Sequence, residues 1–567
     1  MKIRSSHWMP LTACALALAA AAASGQSLTH VPSANAKQPG LVAATQLSPE
    51  LQQVVRAAGA YAVENPSAGI THYGYANVSA TAPMVAAPNT LSNLEATKTE
   101  PDKNTYLTLP RQTGPDAGYD YGVHFLVQGH EAGSVVDPPV NNVNRQGAIT
   151  RVNLDADAAH RVTVLATQDV HGNPLPAIDG STWYPFSQRL LLTAEFGNGP
   201  GGSGGGVWQA TAEYPSQAEA LGGILGRGGY EGIQADHAGN LWIVEDVGGA
   251  VPAAGSNARV ANSFIYRFIP KNLRSLTDGG RLQVLQLASR AHAGAIVFDA
   301  SSALTQDLKD LHTYGNVFAT RWITIHDTGT DGFADFDANA LAKLKSGTPF
   351  KRPENGVFRP GSGFREFFFT ETGDTNATST ANAEHGGYGG IMKLTQPHPS
   401  SESGTLTLFF KGDREHTALD NIQFWSEHRV VAVEDRGDTL HAQGNGVARL
   451  TGALDSAWLL DTRKDYAIAT NMPVRIIAQG RDASATIDSA LLGSAGYQND
   501  GDNEITGIHV SDGDPGVGGL LGAKNPRPFR DGWRVFYTQQ HGDNLTYEII
   551  RAPQVGDEAR HGERDDD

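Results

Sequence analysis

Five times between residues 179 and 541 the chain repeats one layout: an acidic residue, a short apolar run, a turn, a second apolar run, and a polar or acidic end. The copies are Asp179-Gly-Ser-Thr-Trp183 leading to Leu190-Leu-Leu-Thr-Ala-Glu195, Glu231-Gly-Ile leading to Leu241-Trp-Ile-Val-Glu245-Asp246, and Glu354-Asn-Gly leading to Phe367-Phe-Phe-Thr-Glu371. Two more follow, Asp420-Asn-Ile leading to Val430-Val-Ala-Val-Glu434-Asp435, and Glu504-Ile-Thr-Gly leading to Val535-Phe-Tyr-Thr-Gln-Gln540-His541. Repetition of one small unit marks arrays and propellers, because each unit buries its apolar face only against its neighbours. In an antiparallel hairpin the start of the first strand and the end of the second lie at one edge. Both acids of each copy therefore share an edge, and stacking the copies around an axis gathers the acids at one mouth.

The texture between these motifs is that of an all-β protein. Runs such as Phe125-Leu126-Val127, Phe264 to Phe268 and Arg534 to Tyr537 are rich in β-branched and aromatic residues and bounded by Gly, Asn, Asp or Pro. The 65 glycines suit many tight turns. The expected organisation is a signal peptide over residues 1–25, an irregular extension over 26–115, a propeller over 116–552, and a disordered acidic tail over 553–567. Within the extension, Ser48-Pro49 reads as a cap and first helical position of a run reaching about Val63. Residues of about 271–350 read as a partly helical insertion, with a helix from Asp335 to Leu344, and 199–206 as a flexible glycine loop.

The start has a short basic segment (Lys2, Arg4), an apolar stretch from Leu11 to Ala23 and small residues after it, the anatomy of an export signal. That stretch is too short to span a bilayer, so a periplasmic or extracellular protein without a membrane span is expected, as a monomer. Leu11-Thr12-Ala13-Cys14 leaves open lipoprotein processing at Cys14, the only cysteine. Conventional processing would leave a mature chain with no thiol and no disulfide. The net charge of −17 argues against nucleic-acid or anionic-membrane partners. It suits a protein whose acids collect cations.

Two like charges 4 Å apart repel by about 4 kcal/mol at an effective dielectric of about 20, so a crowded ring of carboxylates needs protons or metals. Oxygen ligands without thiols favour hard cations, Ca²⁺ first. The alternative is that the acids cap blade turns on a solvated face. The candidate ligands are Glu231, Glu354, Asp420 and Glu504 at the starts of the copies, with Glu195, Asp246 and Glu434 from their ends. Arg227 and Arg352 stand close in sequence to two of these acids, either to clamp a phosphate or to form structural ion pairs. His541 is a candidate proton donor to a leaving alkoxide, and Asp512-Gly-Asp514 a candidate surface Ca²⁺ loop. Trp183, Trp242, Trp425 and Trp533 read as core.

From Tyr119 to His541 the ordered motifs resemble the PhoX family of calcium- and iron-dependent alkaline phosphatases. Gln128-Gly-His130-Glu131 resembles the family's Asn-His-Glu, Thr182-Trp183 with Thr193-Ala194-Glu195 its Thr-Pro-Trp-Gly and Cys-Glu-Glu, and Gly226-Arg227-Gly-Gly-Tyr-Glu231-Gly232 its Gly-Arg-Phe-x-His-Glu-Gly. Glu245-Asp246 with Phe264 to Phe268 resembles its Gly-Asp-Asp and Tyr-Lys-Phe; Arg352-Pro353-Glu354-Asn-Gly356 its Arg-Pro-Glu-Asp-Gly; Asp420-Asn421 and Gln540-His541-Gly542 its Asp-Asn and Gln-His-Pro-Gly. The resemblance implies a six-bladed β-propeller, Ca²⁺ with Fe³⁺, and metal-dependent hydrolysis of small-molecule phosphoesters. One departure stands out. Where the family carries an iron-holding Cys, this chain has Leu175-Pro176-Ala177-Ile178-Asp179, so Asp179 is the oxygen donor available in its place. The other readings are a calcium-dependent lactonase, for which Asn355, Asn421 and Asn503 beside the acids speak, and a non-catalytic cation-binding propeller.

Overall fold

The structure is a computed structural model that describes residues 27–32, 34–35, 44–67, 70–74, 99–131, 147–195, 204–252, 258–374, 382–436, 453–480, 504–540 and 544–553. The strands in chain order begin with β1 (Gln46–Leu47) and β2 (Leu51–Ala57). There follow β3 (Pro101–Thr108), β4 (His124–His130), β5 (Ala148–Asn153) and β6 (Val162–Ala166), then β7 (Ser181–Tyr184), β8 (Arg189–Ala194), β9 (Gly206–Ala210) and β10 (Ala218–Ala220). Next are β11 (Tyr230–Ala235), β12 (Leu241–Glu245), β13 (Ile265–Pro270), β14 (Gly280–Leu287) and the long β15 (Val317–Asp327). The last are β16 (Pro353–Phe358), β17 (Glu366–Glu371), β18 (Gly390–Thr395), β19 (Ser403–Lys411), β20 (Leu419–Ser426), β21 (Arg429–Glu434), β22 (Ser456–Asp461), β23 (Val474–Ala478), β24 (Glu504–Ser511), β25 (Arg534–Gln540) and β26 (Leu545–Arg551).

These strands form antiparallel meanders arranged as in a propeller. β3 to β6 and β7 to β10 make two four-stranded sheets, and β20 to β23 make a third with β1 added at its outer edge. β24 to β26 are completed by β2. The remaining sheet has nine strands, because β15 joins the outer edge of β11–β14 to that of β16–β19: Thr320 to Asp327 pair with β14, and Val317 to Arg321 with β19. The first strand of each meander lies beside that of the next, in the order β3, β7, β11, β16, β20, β24 and back to β3. Apolar side chains fill the spaces between sheets. Trp242, for instance, packs its ring 5.2 Å from Phe358 and 5.1 Å from Phe367, and its indole N–H donates to Asp236. Trp425 is likewise buried, and Trp183 and Trp533 are partly buried against apolar clusters, as expected of core residues.

Three local expectations change. The segment read as a helix from Pro49 contains β2, a strand whose Leu51 faces Arg551 and whose Val54 faces Glu548 on β26. Ser48-Pro49 starts a turn, and the β-branched Val54 and Val55 fit a sheet edge better than a short isolated helix. β3 lies inside the stretch expected to be irregular, and β14 inside the expected insertion. The helix expected at Asp335 to Leu344 is present over Ala338–Leu344, where Asp337 caps it by accepting from the Ala340 N–H. The signal segment with Cys14 and residues 554–567 lie outside the described residues, as does residue 541.

Candidate metal centre

The acids reach the axis because the innermost strands are irregular at the mouth. Pairing skips two residues between Pro101 and Asn104 on β3, Tyr230 and Ile233 on β11, Pro353 and Gly356 on β16, and Leu419 and Ile422 on β20. In each case the first skipped residue is the acid: Asp102, Glu231, Glu354 or Asp420. Bulges of this kind release residues from the pleat and re-aim their side chains. Hydroxyls from the preceding sheet then hold the bulged backbone: Thr193 donates to the Glu231 carbonyl and Thr370 to the Asp420 carbonyl. The inner strands pass so closely that a Cβ at Gly180 would collide with the Glu231 carbonyl, and one at Gly232 would sit 2.9 Å from the Asn355 Cα. Asp179-Gly and Glu231-Gly are thus acid-glycine pairs for a steric reason.

Among the described residues, seven carboxylates form three groups, within each of which one oxygen per residue lies within 4.8 Å of the others: Asp102 with Glu131 and Asp179, Asp179 with Glu195 and Glu231, and Glu231 with Asp246 and Glu354. Asp179 and Glu231 each belong to two groups, so the three form a continuous arc. Glu131, Glu195 and Asp246 hold the same place, one residue past the ends of β4, β8 and β12. Burial, then the charge of a neighbouring acid, holds the carboxyls of Asp179, Glu231 and Glu354 well above the ordinary carboxylate range. Asp420 is pushed up to about 6, first by burial and then by Asp102, and its side chain hydrogen-bonds Glu504. Without cations these acids must share protons.

A lysine stands among them. Lys103, 2% exposed, donates from Nζ to Asn355 Oδ1 at 2.8 Å. Burial lowers its pKa to about 8 against the opposing pull of Asp420, Asp102, Asp179 and Glu231. Asn421 donates to Asp420 Oδ1 and to the Thr506 hydroxyl, both at 3.0 Å. Asn355 and Asn421 therefore support neighbours of the ring, and Asn503 lies outside the described residues.

Of the residues expected from sequence, Glu195, Glu231, Asp246 and Glu354 are brought together, while Asp420 and Glu504 form a pair beside them. Glu434 lies apart from the three groups. Its carboxylate accepts from the Ser456 N–H at 2.9 Å and from Arg436 at 2.7 Å, and the next residue, Asp435, holds the position equivalent to Asp246. Arg352 grips Asp246 through Nε at 3.0 Å and Nη2 at 2.6 Å, and lies 3.7 Å from Glu354. Burial opposes its charge, but Asp246 and Glu354 raise its pKa well above the ordinary value. Arg227 instead donates to the Gly204 carbonyl, with Nη2 at 2.6 Å. Asp512 and Asp514 both receive Lys524 at 2.8 Å, so an ammonium sits where a loop calcium was considered. His541 lies outside the described residues.

Asp102, Lys103 and Glu131 complete the arc and are absent from the five sequence copies. The available signal was Pro101-Asp102, which opens β3 as Pro353-Glu354 opens β16.

Fold and site together define an all-β propeller with a carboxylate-lined axis. Residues 255–451 match the family model described as Alkaline phosphatase PhoX. The fold resembles that of Pseudomonas fluorescens PhoX, solved in complex with vanadate, a transition state analogue, at 12% identity with a TM-score of 0.53, covering 92% of this chain and 98% of that one. Over residues 255–451 the chain is thus similar to the PhoX alkaline phosphatases, and over most of its length it resembles a PhoX structure in fold. Two further matches are remote in shape: the GH74 enzyme of Niastella koreensis (10% identity, TM-score 0.24, 66% of this chain and 45% of that one) and Sqt1 from Chaetomium thermophilum (10%, 0.29, 80% and 97%). Curated proteins provide no match.

Proposed function

We propose that the chain is an exported, metal-dependent phosphoester hydrolase of the PhoX type, built as six blades around the axial carboxylates. The nine-stranded sheet counts as two blades in this reading, β11–β14 and β16–β19, tied by β15. One observation carries the function: three adjacent carboxylate groups that share Asp179 and Glu231. Such an array would offer oxygen donors for more than one cation. The donors are oxygens alone, which fits Ca²⁺. Asp179 belongs to two groups and stands at the segment where the family has its iron-holding Cys, so ferric iron finds no thiolate here.

When bound, hard cations in these groups polarise phosphoryl oxygens and lower the pKa of water. The chain's own residues supply the rest. Asp102, Glu131, Asp179, Glu195, Glu231, Asp246 and Glu354 would hold the cations, and the Asp420–Glu504 pair extends the acidic lining. Arg352, whose side chain is 26% exposed, brings positive charge to the edge of the arc while Asp246 fixes its plane, as bidentate anion recognition requires. Arg227 shapes the mouth through Gly204, and His541 is the proposed proton donor to the leaving oxygen. The substrate class is a small phosphoester reached outside the cytoplasm, and the working unit is a monomer.

The test is a metal count, a visible spectrum and hydrolysis of a chromogenic phosphomonoester by the purified protein in calcium and in chelator. A colourless protein that binds calcium and hydrolyses the ester only with calcium is expected. A violet, iron-loaded protein would overturn the oxygen-only reading. Calcium binding without phosphoester hydrolysis would leave a non-catalytic cation-binding propeller, or a lactonase if lactones are opened.

A further inference from the structure

The axial ring contains a cation of its own making. Lys103 is the second skipped residue of the β3 bulge, directly after Asp102. Its acceptor, Asn355, is the second skipped residue of the β16 bulge, directly after Glu354. In the ring of innermost strands β3 and β16 are separated by two strands in either direction, β7 and β11 one way and β24 and β20 the other. The lysine side chain therefore crosses the axis to the opposite wall, where Nζ meets Asn355 Oδ1 at 2.8 Å. Both residues are buried, at 2% and 1% exposure. The β3 backbone is fixed at the crossing, since Ser181 Oγ donates to the Lys103 carbonyl at 3.1 Å and Asn104 Nδ2 to the Gly507 carbonyl at 2.7 Å. Acids whose charges act on the ammonium come from four walls: Asp102 on β3, Asp179 before β7, Glu231 on β11 and Asp420 on β20.

We propose that Lys103 is a fixed counter-cation of the axial carboxylates, a positioning residue that weakens divalent-ion binding by one unit of charge and so keeps the bound ions exchangeable. A neutral hydrogen-bonding side chain would satisfy Asn355 equally well, and burying an ammonium is costly unless charges surround it. What the lysine contributes is its charge. A positive group within the ring repels an incoming divalent ion and removes one position that an ion would otherwise neutralise.

The proposal rests on the reading that the ring takes divalent ions, and the experiment separates the two. Chelator-stripped wild-type, Lys103→Gln and Lys103→Met proteins are titrated with calcium by calorimetry, and bound metal is counted after dialysis. Both variants are expected to bind calcium at least about tenfold more tightly than wild type, or to hold one more ion per chain. They are also expected to depend more on calcium for folding. A variant folded in calcium and unfolded in chelator supports the proposal; one unfolded in both marks Lys103 as a mere strut and overturns it. Unchanged or weaker calcium affinity in folded variants also overturns it, because a strut lost from the ring loosens the site instead of tightening it. If wild type binds no divalent ion at all, the metal reading itself fails.

Discussion

Glu245 and Asp246 are neighbours in the chain and live in different electrostatic worlds. Glu245, fully buried at the end of β12, accepts from the Phe264 N–H at 3.0 Å, the Tyr266 hydroxyl at 2.9 Å and Asn339 at 3.0 Å. Glu371 accepts from the Lys351 N–H at 2.9 Å, and Glu434 from the Ser456 N–H at 2.9 Å, each at the end of the second strand of its meander. One residue further on, Asp246 joins the axial arc with Glu231 and Glu354. Consecutive residues at a strand end face opposite sides, so the glutamate stitches its own sheet while its neighbour faces the common axis. Hydrogen bonds from the blade hold the first kind of acid in place, although burial still pushes the Glu245 carboxyl up to about 8 against them. The second kind has other acids close by: Thr372 donates to Glu354, Thr506 to Asp102 and Gln540 to Glu131, and Arg352 and Lys103 add positive charge at the edge and centre of the arc.

The strongest way to break this contrast is to strip the metal. Excess EGTA is expected to lower the melting temperature by about 3 °C for each filled site, since a filled site adds roughly 3–4 kcal/mol at hundredfold to thousandfold saturation against an unfolding entropy of about 1.2 kcal/mol/K for a chain of this length. An unchanged melting curve would mean that the axial acids are as self-sufficient as Glu245. Paired substitutions sharpen the contrast next. Glu231→Gln is expected to weaken calcium binding by about tenfold or more, because it neutralises a ligand shared by two groups. Glu434→Gln should leave calcium affinity intact and cost about 1–3 kcal/mol of stability through Arg436 and the Ser456 N–H, measurable by denaturant titration. Equal effects on calcium affinity would erase the distinction between the two faces.

The pH response is shared by both kinds, since burial raises Glu245 as well, and calcium is what separates them. In the stripped protein Asp420 is pushed up to about 6 by burial and by Asp102, and Asp179, Glu231 and Glu354 shift the same way. The unfolded chain loses these protons first, near pH 4. The stability they contribute is therefore full below that pH and lost as pH rises through about 6 and beyond. Melting in EGTA should fall between pH 5 and 7, and calcium should flatten the slope; a stripped protein that melts higher at pH 7 would contradict the crowding. The smallest effect is expected from Glu415→Gln, whose carboxylate is 56% exposed and pairs with Arg475 at 3.1 Å. It should change stability by no more than about 1 kcal/mol and calcium affinity not at all.

Much of the centre was legible in sequence because the acids recur beside glycine or asparagine at the start of a strand, as at Asp179, Glu231, Glu354 and Asp420. Asp102 escaped because its hairpin is split: residues 109–123 separate β3 from β4, so its closing partner, Glu131, falls far beyond the spacing of the first four copies. Glu434 stands one residue before Asp435, the position equivalent to Asp246, and in a strand one residue exchanges one face for the other. No local pattern announces Lys103, whose partner lies 252 residues away across the axis. The Ser48-Pro49 signal misled because β2 takes its conformation from β26, a partner invisible to local propensity.

That pairing has a temporal consequence. β2 precedes β26 by nearly the whole propeller in chain order, and they close the same sheet along Leu51 to Ala57. β1 likewise waits for β23. During synthesis or threading, the early strands stay unclasped until residue 551 has been delivered, with their edges open to wrong partners. A chain interrupted before β24 would carry the acids from Asp102 to Asp420 with the ring of inner strands still open between β20 and β3.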